Sequence, residues 1–372
     1  MDYNEKANLF EGENAMYLDN YEGLIEHINS IEINPNERLM ILIGEESSGS
    51  LDKMREYLNS NNVKFFGGIY SRLLVGNKSF AEGFIVEKFE PVYCSVVLPF
   101  LMRYKLKENE VKGCTALVLV DGLTSQMREL ADTIFDKVGN NVKYIGGGAG
   151  FYDMVQRPCI FDNDGTYKDV LYLCIIKANA DVAVRHGWNK LDGPYTITKS
   201  YGNILSQLND YNAFEVYRDV IEDAEDMTLS KEDFFTYAKD HPFGVSRKGK
   251  DEFVVRDPIA LNGNKDIICV ANIHQGRELY FLKGNVDTLL ASSLQIAEYC
   301  ASKAPEKYVP LLFDCISRAM FMEERFNEEL NNIQGKLKNT VYGALSIGEI
   351  SSDEEGAIVI HNKSTILGII EM

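Results

Sequence analysis

Cys315 and Arg318 are a pair of residues whose types and spacing could do chemistry. They lie three residues apart where a hydrophobic strand pattern ends, so a turn into a helix would place both side chains over one cavity. A guanidinium can hold a carboxylate through two parallel hydrogen bonds, and a neighbouring cation lowers the pKa of a thiol. The spacing therefore predicts a ligand site at this strand end. The alternative is a buried thiol beside an arginine that pairs with Asp314.

A second candidate group, Gly348 and Glu349, follows the next strand pattern along the chain. The Glu349 carboxylate could accept the ammonium group of a ligand whose carboxylate binds Arg318, as an amino-acid ligand would require. The two charged side chains could instead form a structural ion pair with each other. His361 and Asn362, on the final predicted hairpin, could add neutral hydrogen bonds, although an asparagine beside a strand often only forms a turn.

His241 is the candidate for a haem ligand. Pro242 follows it and favours an extended backbone, which would project the imidazole ring from a loop. Phe243 and Tyr237 are near in sequence and could wall an apolar cavity of the kind that holds haem. A histidine that merely occupies a loop explains the same residues. His186, beside the single tryptophan, is a second candidate.

The glycine-rich run 146–150 invites a phosphate-binding interpretation, but a dinucleotide fingerprint opens a helix, whereas this run leads toward a hairpin. No lysine of a phosphate loop follows it, and backbone turns and close packing explain the glycines better. Catalysis therefore has little direct support. A thiol-dependent enzyme that uses Cys315 is an alternative for which no base lies nearby in the sequence.

The elements that would position these side chains recur along the chain. A strand, a helix, a strand, a glycine cluster and a hairpin turn follow each other twice, at 39–43, 51–59, 63–66, 67–68 and 76–78, then at 116–120, 125–138, 142–145, 146–148 and 163–165. A more divergent third copy has strands at 308–313, 340–345, 357–360 and 365–370, a helix at 323–337 and a glycine at 348. This order predicts an α/β fold with mixed sheets built from repeated strand-helix-strand-hairpin units and helices packed outside.

The same patterns predict three regions. They are an N-terminal extension and helix at residues 1–37, a first domain with an internal duplication at 38–180, and a second domain at 181–372. The second domain includes a less regular stretch, 182–282, with a helix-like pattern at 203–220. All the candidate ligand residues fall in this second domain, so the first two units are expected to act chiefly as scaffold.

Composition narrows the class of protein. The 372 residues are 45% hydrophobic, which is typical of a globular chain, and 56 acidic against 38 basic residues give a formal charge of -18. Such a charge disfavours a nucleic-acid partner. The longest apolar runs are shorter than the roughly 20 residues of a bilayer-spanning helix, and the polar start lacks signal-peptide features, so a cytoplasmic protein is expected. Scattered cysteines and histidines predict neither disulfides nor a metal site.

Several of these features resemble the FIST (F-box and intracellular signal-transduction) family, with its FIST N and FIST C parts. The resemblance rests on the repeated strand, helix and Gly-Gly layout in the N-terminal part. In the C-terminal part it rests on four separated elements: His241-Pro242-Phe243-Gly244, Cys315 with Arg318, Gly348-Glu349-Ile350 and His361-Asn362. It implies a cytoplasmic sensory or ligand-binding module that acts beside histidine kinases, cyclic-dinucleotide enzymes or chemotaxis receptors. Small molecules such as amino acids are the implied ligands, and some relatives are linked to haem and nitric oxide sensing.

The expected function is therefore that of a non-enzymatic sensor. It would bind a polar metabolite between Arg318 and Glu349 and act on a separate signalling protein, since no kinase, receptor or F-box region is present in the sequence. A haem-based sensor of nitric oxide that uses His241 is one alternative. A thiol enzyme that uses Cys315 is another.

Overall fold

The computed structural model describes residues 16–246 and 253–372, which form three successive repeats of one unit and a domain inserted into the third. The first repeat consists of β1 (Met16–Leu18), α1 (Tyr21–Ser30), β2 (Arg38–Gly44), α2 (Leu51–Ser60), β3 (Phe65–Tyr70), β4 (Leu73–Val75), β5 (Lys78–Phe80) and β6 (Phe84–Phe89). The side chain of Asn20 caps α1 by accepting a 2.9 Å hydrogen bond from the backbone N–H of Gly23.

The second repeat has the same order of elements. It consists of β7 (Pro91–Val97), α3 (Glu108–Val111), β8 (Cys114–Asp121), α4 (Met127–Val138), β9 (Val142–Ala149), β10 (Ile160–Asp162), β11 (Thr166–Tyr167) and β12 (Leu171–Ile176). Every residue of β8 is buried, which explains why its sequence is a continuous apolar run rather than an alternating one.

The third repeat begins with β13 (Ala180–Arg185) and is then interrupted by a domain at residues 189–283, which we call the insert. Its elements are β14 (Asn189–Tyr201), β15 (Ile204–Leu208), β16 (Tyr211–Asn212), α5 (Ala213–Glu225), α6 (Phe234–Ala238), β17 (Phe243–Ser246), β18 (Phe253–Arg256), β19 (Pro258–Leu261), β20 (Ile267–Cys269) and β21 (Glu278–Lys283). The insert strands form one antiparallel sheet, which has its own hydrophobic core around Phe243 and Phe281.

After the insert, the third repeat resumes and completes the shared order. It continues with α7 (Val286–Lys303), β22 (Tyr308–Cys315), α8 (Ile316–Met322), α9 (Phe326–Gln334), β23 (Tyr342–Ser346), β24 (Glu349–Ser352), β25 (Ile358–His361) and β26 (Thr365–Glu371). No helix of the described residues is both long enough and apolar enough to cross a lipid bilayer.

The three repeats build three six-stranded sheets with one layout. In each sheet a parallel pair lies at the centre, β2 with β3, β8 with β9 and β22 with β23. The last strand of the same repeat pairs antiparallel with the first strand of that pair. The mixed α/β fold with repeated units is confirmed.

The hairpin of each repeat completes the sheet of a different repeat. β10–β11 of the second repeat joins β3 of the first, β24–β25 of the third joins β9 of the second, and β4–β5 of the first joins β23 of the third. This exchange closes the repeats into a ring, so each sheet depends on residues from two repeats.

Glycine occupies the same position in all three parallel pairs. A Cβ atom there would lie 1.9, 1.8 and 1.7 Å from a carbonyl oxygen of the neighbouring strand, at Gly67 facing Ile41, Gly146 facing Val118 and Gly343 facing Leu312. The glycine runs therefore serve close packing inside strands, and Gly146–Gly148 form part of β9 instead of a turn.

Some predicted elements differ from the structure. The helix expected at 323–337 corresponds to α9, which begins at Phe326. A separate helix, α8, was not predicted; it starts directly after Cys315 and is divided from α9 at Glu323, which has a φ of 51°. The helix-like pattern at 203–220 is wrong for its first half, where β15 and β16 form a hairpin, and the helix begins at Ala213. The long helix α7 was not predicted.

Candidate functional site

A cavity of about 980 Å³ lies where the second repeat, the third repeat and the insert meet. Its size is suitable for a small organic ligand, and pockets between structural units are common binding sites. Apolar side chains from all three parts line it, among them Met127, Val254, Ile316, Met320 and Ile360. The polar residues form two sets. We call the first set the floor (Asp257, Cys315, Ser317, Gly348 and Asn362) and the second set the rim (Arg128, Arg256, His274 and Arg277).

The floor forms where β22 runs into α8. Cys315 and Ser317 come from this junction, Asp257 from the link between β18 and β19, and Gly348 and Asn362 from the turns that flank β24 and β25. Gly348 has a φ of 87°, a conformation that favours glycine, and its carbonyl oxygen accepts a 2.8 Å hydrogen bond from the Gly148 N–H. The structure thus brings three of the predicted site residues together.

Asn362 provides an unused hydrogen-bond acceptor on this floor. Its side chain is 2% exposed, and its Oδ1 atom receives no hydrogen bond from any of residues 16–246 and 253–372. A buried acceptor without a partner costs about 1–3 kcal/mol. A ligand that donates a hydrogen bond to Oδ1 would recover part of that cost.

Asp257 connects the cavity to a buried lysine. Its Oδ1 atom lies 3.1 Å from the Lys363 ammonium, which also donates a 2.7 Å hydrogen bond to the carbonyl oxygen of Lys239 in the insert. Burial raises the pKa of Asp257, and the Lys363 charge opposes that shift. The pair therefore joins the insert to the third repeat beside the cavity.

The Cys315 thiol differs from the expectation of an activated nucleophile. Burial, followed by the nearby Glu349 and Asp257 carboxyls, raises its pKa, whereas a lowered pKa was expected from Arg318. The thiol is therefore held in its protonated form, with the character of a small apolar group.

Arg318 does not lie on the cavity wall, contrary to the prediction that it faces a ligand. Its side chain is 0% exposed and donates to Glu329 at 2.7 and 3.0 Å. Further donors reach the carbonyl oxygens of His186 at 2.5 Å and Leu289 at 2.7 Å. α8 turns Arg318 inward because its position on the helix faces α7 and α9, so protein acceptors occupy the guanidinium that was expected to hold a ligand carboxylate.

Glu349 is likewise internal and does not line the cavity. Its Oε1 accepts a 2.9 Å hydrogen bond from the Ser346 hydroxyl, and its Oε2 accepts a 3.3 Å bond from the Ser364 N–H. Burial raises its pKa well above the usual value. The structure therefore does not place the Arg318 and Glu349 side chains on opposite sides of one ligand pocket.

The side chains of His361, the last residue of β25, and Asn362, in the turn that follows, lie on different cavities. The His361 ring lies on the wall of a separate cavity of about 760 Å³, and its Nε2 is 2.9 Å from the Ser351 hydroxyl. Of this predicted pair, only Asn362 reaches the main cavity.

His241 does not project from a loop over an apolar cavity. Its side chain is 1% exposed, Nδ1 lies 2.9 Å from Asp240 Oδ1, and Nε2 lies 3.0 Å from Glu225 Oε1. Both ring nitrogens are thus engaged by protein groups, which leaves neither for an iron atom. At His186, burial and then the Arg318 charge lower the pKa to about 4, and its Nδ1 accepts a 3.0 Å hydrogen bond from the Trp188 N–H.

Four basic side chains at the rim were missed by the sequence interpretation. Arg128 extends from the first turn of α4, and Arg256, His274 and Arg277 come from the insert. Arg256 donates to the carbonyl oxygens of Asn272 at 2.9 Å and Ile360 at 3.3 Å. These residues share no motif, because tertiary structure alone brings them together. Within residues 16–246 and 253–372, no group of three His, Cys, Asp or Glu side chains could hold a metal ion.

Three α/β repeats that exchange hairpins, with a domain inserted into the third, define the class of fold, and the sequence identifies the family. Residues 6–211 match the FIST N domain and residues 213–352 match the FIST C domain. The chain belongs to the FIST family, whose domains are associated with sensing in signal transduction. Among curated proteins, none matches it.

Proposed function

We propose that this protein is a cytoplasmic, non-enzymatic sensor that binds a small polar metabolite in the 980 Å³ cavity and acts on a separate signalling protein. The observation that carries the proposal is the buried, unused Oδ1 atom of Asn362 on the floor of that cavity. A histidine kinase, a cyclic-dinucleotide enzyme or a chemotaxis receptor would be the partner.

An amino acid or a similar metabolite matches the chemistry of the floor. Its ammonium group would donate one hydrogen bond to Asn362 Oδ1 and interact with the Asp257 carboxylate, and charge-assisted hydrogen bonds of this kind are the strong ones. These two residues replace Glu349 as the acceptors for the ligand. The protonated Cys315 thiol supports binding rather than thiol catalysis.

The position of the cavity supports a signalling role. Its walls come from the insert and from two repeats, so a bound ligand would contact both. The chain connects the insert to the repeats only through residues 186–188 and 284–285. A ligand that binds one arrangement of these parts more tightly shifts the population toward that arrangement. A partner that contacts both the insert and the repeats would then recognise the bound state.

Isothermal titration calorimetry against a panel of amino acids and related metabolites tests the proposal. Asn362→Leu keeps the volume of the side chain but removes the acceptor, so we expect binding to weaken by about tenfold or more. The free energy of unfolding should not fall, since an unused buried polar atom is removed. Asn77→Leu, which changes an exposed asparagine bonded to Asn331, is the control. Binding by no member of the panel, or equal binding to the Asn362→Leu variant, would overturn the proposal.

A further inference from the structure

The rim of the cavity carries a cluster of basic side chains in a protein with a formal charge of -18. Arg128 contacts the His274 ring directly, and the Arg277 N–H donates a 3.4 Å hydrogen bond to the His274 carbonyl oxygen. Arg256 holds the same turn through its 2.9 Å bond to the Asn272 carbonyl oxygen. The Arg128 and Arg256 guanidinium groups therefore both contact one turn of the insert, residues 272–277, which ends at Arg277.

Acidic groups, Asp257 among them, line the same cavity as these basic side chains. Asp132 pairs with Arg128 at 3.2 Å, and Asp353 and Glu355 lie on the cavity wall in the turn between β24 and β25. The Arg277 side chain forms no hydrogen bond or ion pair with any residue in the described ranges. Burial and then the charges of Arg128, Arg256 and Arg277 lower the pKa of His274, whereas Asp132 opposes that shift.

We infer that these four residues form an anion-binding subsite that holds a carboxylate or phosphate group of the ligand. Guanidinium groups bind both anions through paired hydrogen bonds, and neutralising clustered like charges adds to the stabilisation. The inference rests on the proposed function, since it assigns the anionic end of a ligand whose hydrogen-bond donor contacts Asn362. The cavity of about 980 Å³ leaves room for a ligand longer than a single amino acid between the floor and the rim.

The subsite also spans two parts of the molecule. Arg128 belongs to the second repeat, whereas Arg256, His274 and Arg277 belong to the insert. An anion bound between them contacts both parts. Anion binding thereby fixes the insert against the ring of repeats, which links occupancy of the cavity to the arrangement of the whole chain.

Calorimetry with inorganic phosphate and with succinate, each compared with sodium chloride at equal ionic strength, tests the subsite. We expect at least one probe to bind, and Arg128→Gln and Arg277→Gln each to weaken it about tenfold. Arg218→Gln is the control, because Arg218 lies on α5 of the insert among Glu215 and Glu222, away from the cavity. Binding of phosphate alone assigns a phosphate ester, and binding of succinate alone assigns a carboxylate.

Two results would overturn the inference: no binding of either probe, or equal binding to the wild type and to both cavity variants. Hydrogen exchange should slow in residues 272–277 when the probe binds, and unchanged exchange there would refute the fixing of the insert. The failures of the two proposals are distinguishable. If a metabolite binds in a way that depends on Asn362 but neither anion binds, only the subsite is refuted. If an anion binds through the arginines but no metabolite binds, only the proposed ligand class is refuted.

Discussion

Replacement of Arg318 by methionine separates a structural role from a ligand role for this residue. The guanidinium is fully buried and donates to Glu329, to two carbonyl oxygens and, at 3.2 Å, to the Ser292 hydroxyl. Methionine fills most of the volume but supplies no donor. Among the described residues, the Arg318→Met variant therefore leaves the buried Glu329 carboxylate with the Thr365 hydroxyl, at 3.0 Å, as its remaining hydrogen-bond donor.

The expected loss is large for one substitution. Removing one partner of a buried ion pair costs about 3–5 kcal/mol, because the other charge is left without compensation. Burial and the Glu329 charge raise the pKa of Asp314 well above its usual value, so this neighbour is protonated and does not add a second negative charge. The cost then arises chiefly from Glu329, with a smaller part from Asp314, whose Oδ1 lies 3.8 Å from the Arg318 Nε. Native domains are stable by only about 5–15 kcal/mol, so the variant should unfold at a clearly lower urea concentration.

Urea unfolding followed by the fluorescence of Trp188 provides the assay. This tryptophan is buried, and its Nε1–H donates a 2.9 Å hydrogen bond to the Lys363 carbonyl oxygen in the third repeat. Arg325→Met is the matched control, because Arg325 pairs with Asp287 and Glu328 at the surface, where such pairs contribute about 0–1 kcal/mol. Adding Glu329→Gln to Arg318→Met should recover part of the loss by removing the orphaned charge.

Equal stability of the Arg318→Met and Arg325→Met variants would refute this reasoning. Ligand affinity gives a second, independent readout. Since Arg318 does not line the cavity, the folded Arg318→Met protein should bind metabolites as the wild type does. Loss of binding without loss of stability would restore the ligand role that the sequence predicted.

Two further predictions concern buried titratable groups. Burial raises the pKa of Glu87 to about 8, so the folded state holds a proton that the unfolded chain releases near pH 4.5. The free energy of unfolding should therefore fall as pH rises from about 4.5 to 8, by up to about 1.4 kcal/mol per pH unit, and urea unfolding of Glu87→Gln should not show this fall. Burial lowers the pKa of His241, but Asp240 outweighs burial and the net pKa is raised above the usual 6.5. This side chain therefore stabilises the fold below pH 6.5, and that contribution is lost as pH rises through the higher pKa of the folded state. His241→Ala should thus destabilise the protein more at pH 6 than at pH 9. The substitution should also leave the absorbance spectrum of the haem-treated protein unchanged. A Soret band that is lost only in this variant would contradict the conclusion that protein groups occupy both ring nitrogens.

Local patterns were sufficient to predict most strands and helices of the first two repeats. Hydrophobic runs such as that of β8 are buried on both faces, and their apolar character is visible without knowledge of their neighbours. The helix α7 escaped prediction because Ser292 and Ser293 occupy buried positions on it and blur the apolar stripe. The acidic run that begins at Glu323 suggested a helix start close to that of α9, but the preceding short helix α8 was not recognised.

The prediction of individual site residues was limited by side-chain direction. Sequence placed Arg318 at the correct strand-to-helix junction but could not give the rotation of α8 that turns it toward Glu329. It paired His361 with Asn362, whereas β25 ends between them and their side chains line different cavities. Asp257 is separated from Arg318 and from Asn362 by about 60 residues or more of chain and belongs to no motif, so nothing local connected it to the floor.

The sequence by itself determined the order of elements in the first two repeats, the threefold repetition and the glycine positions, because these depend on periodicity and on the space beside a neighbouring backbone. Only the tertiary structure decided that each hairpin joins the sheet of another repeat and that Arg128, Asp257 and Asn362 surround one cavity. Those arrangements arise from contacts between residues far apart in the chain, whose selection depends on the packing of the whole ring. A ligand site built from such contacts has no local signature in the sequence.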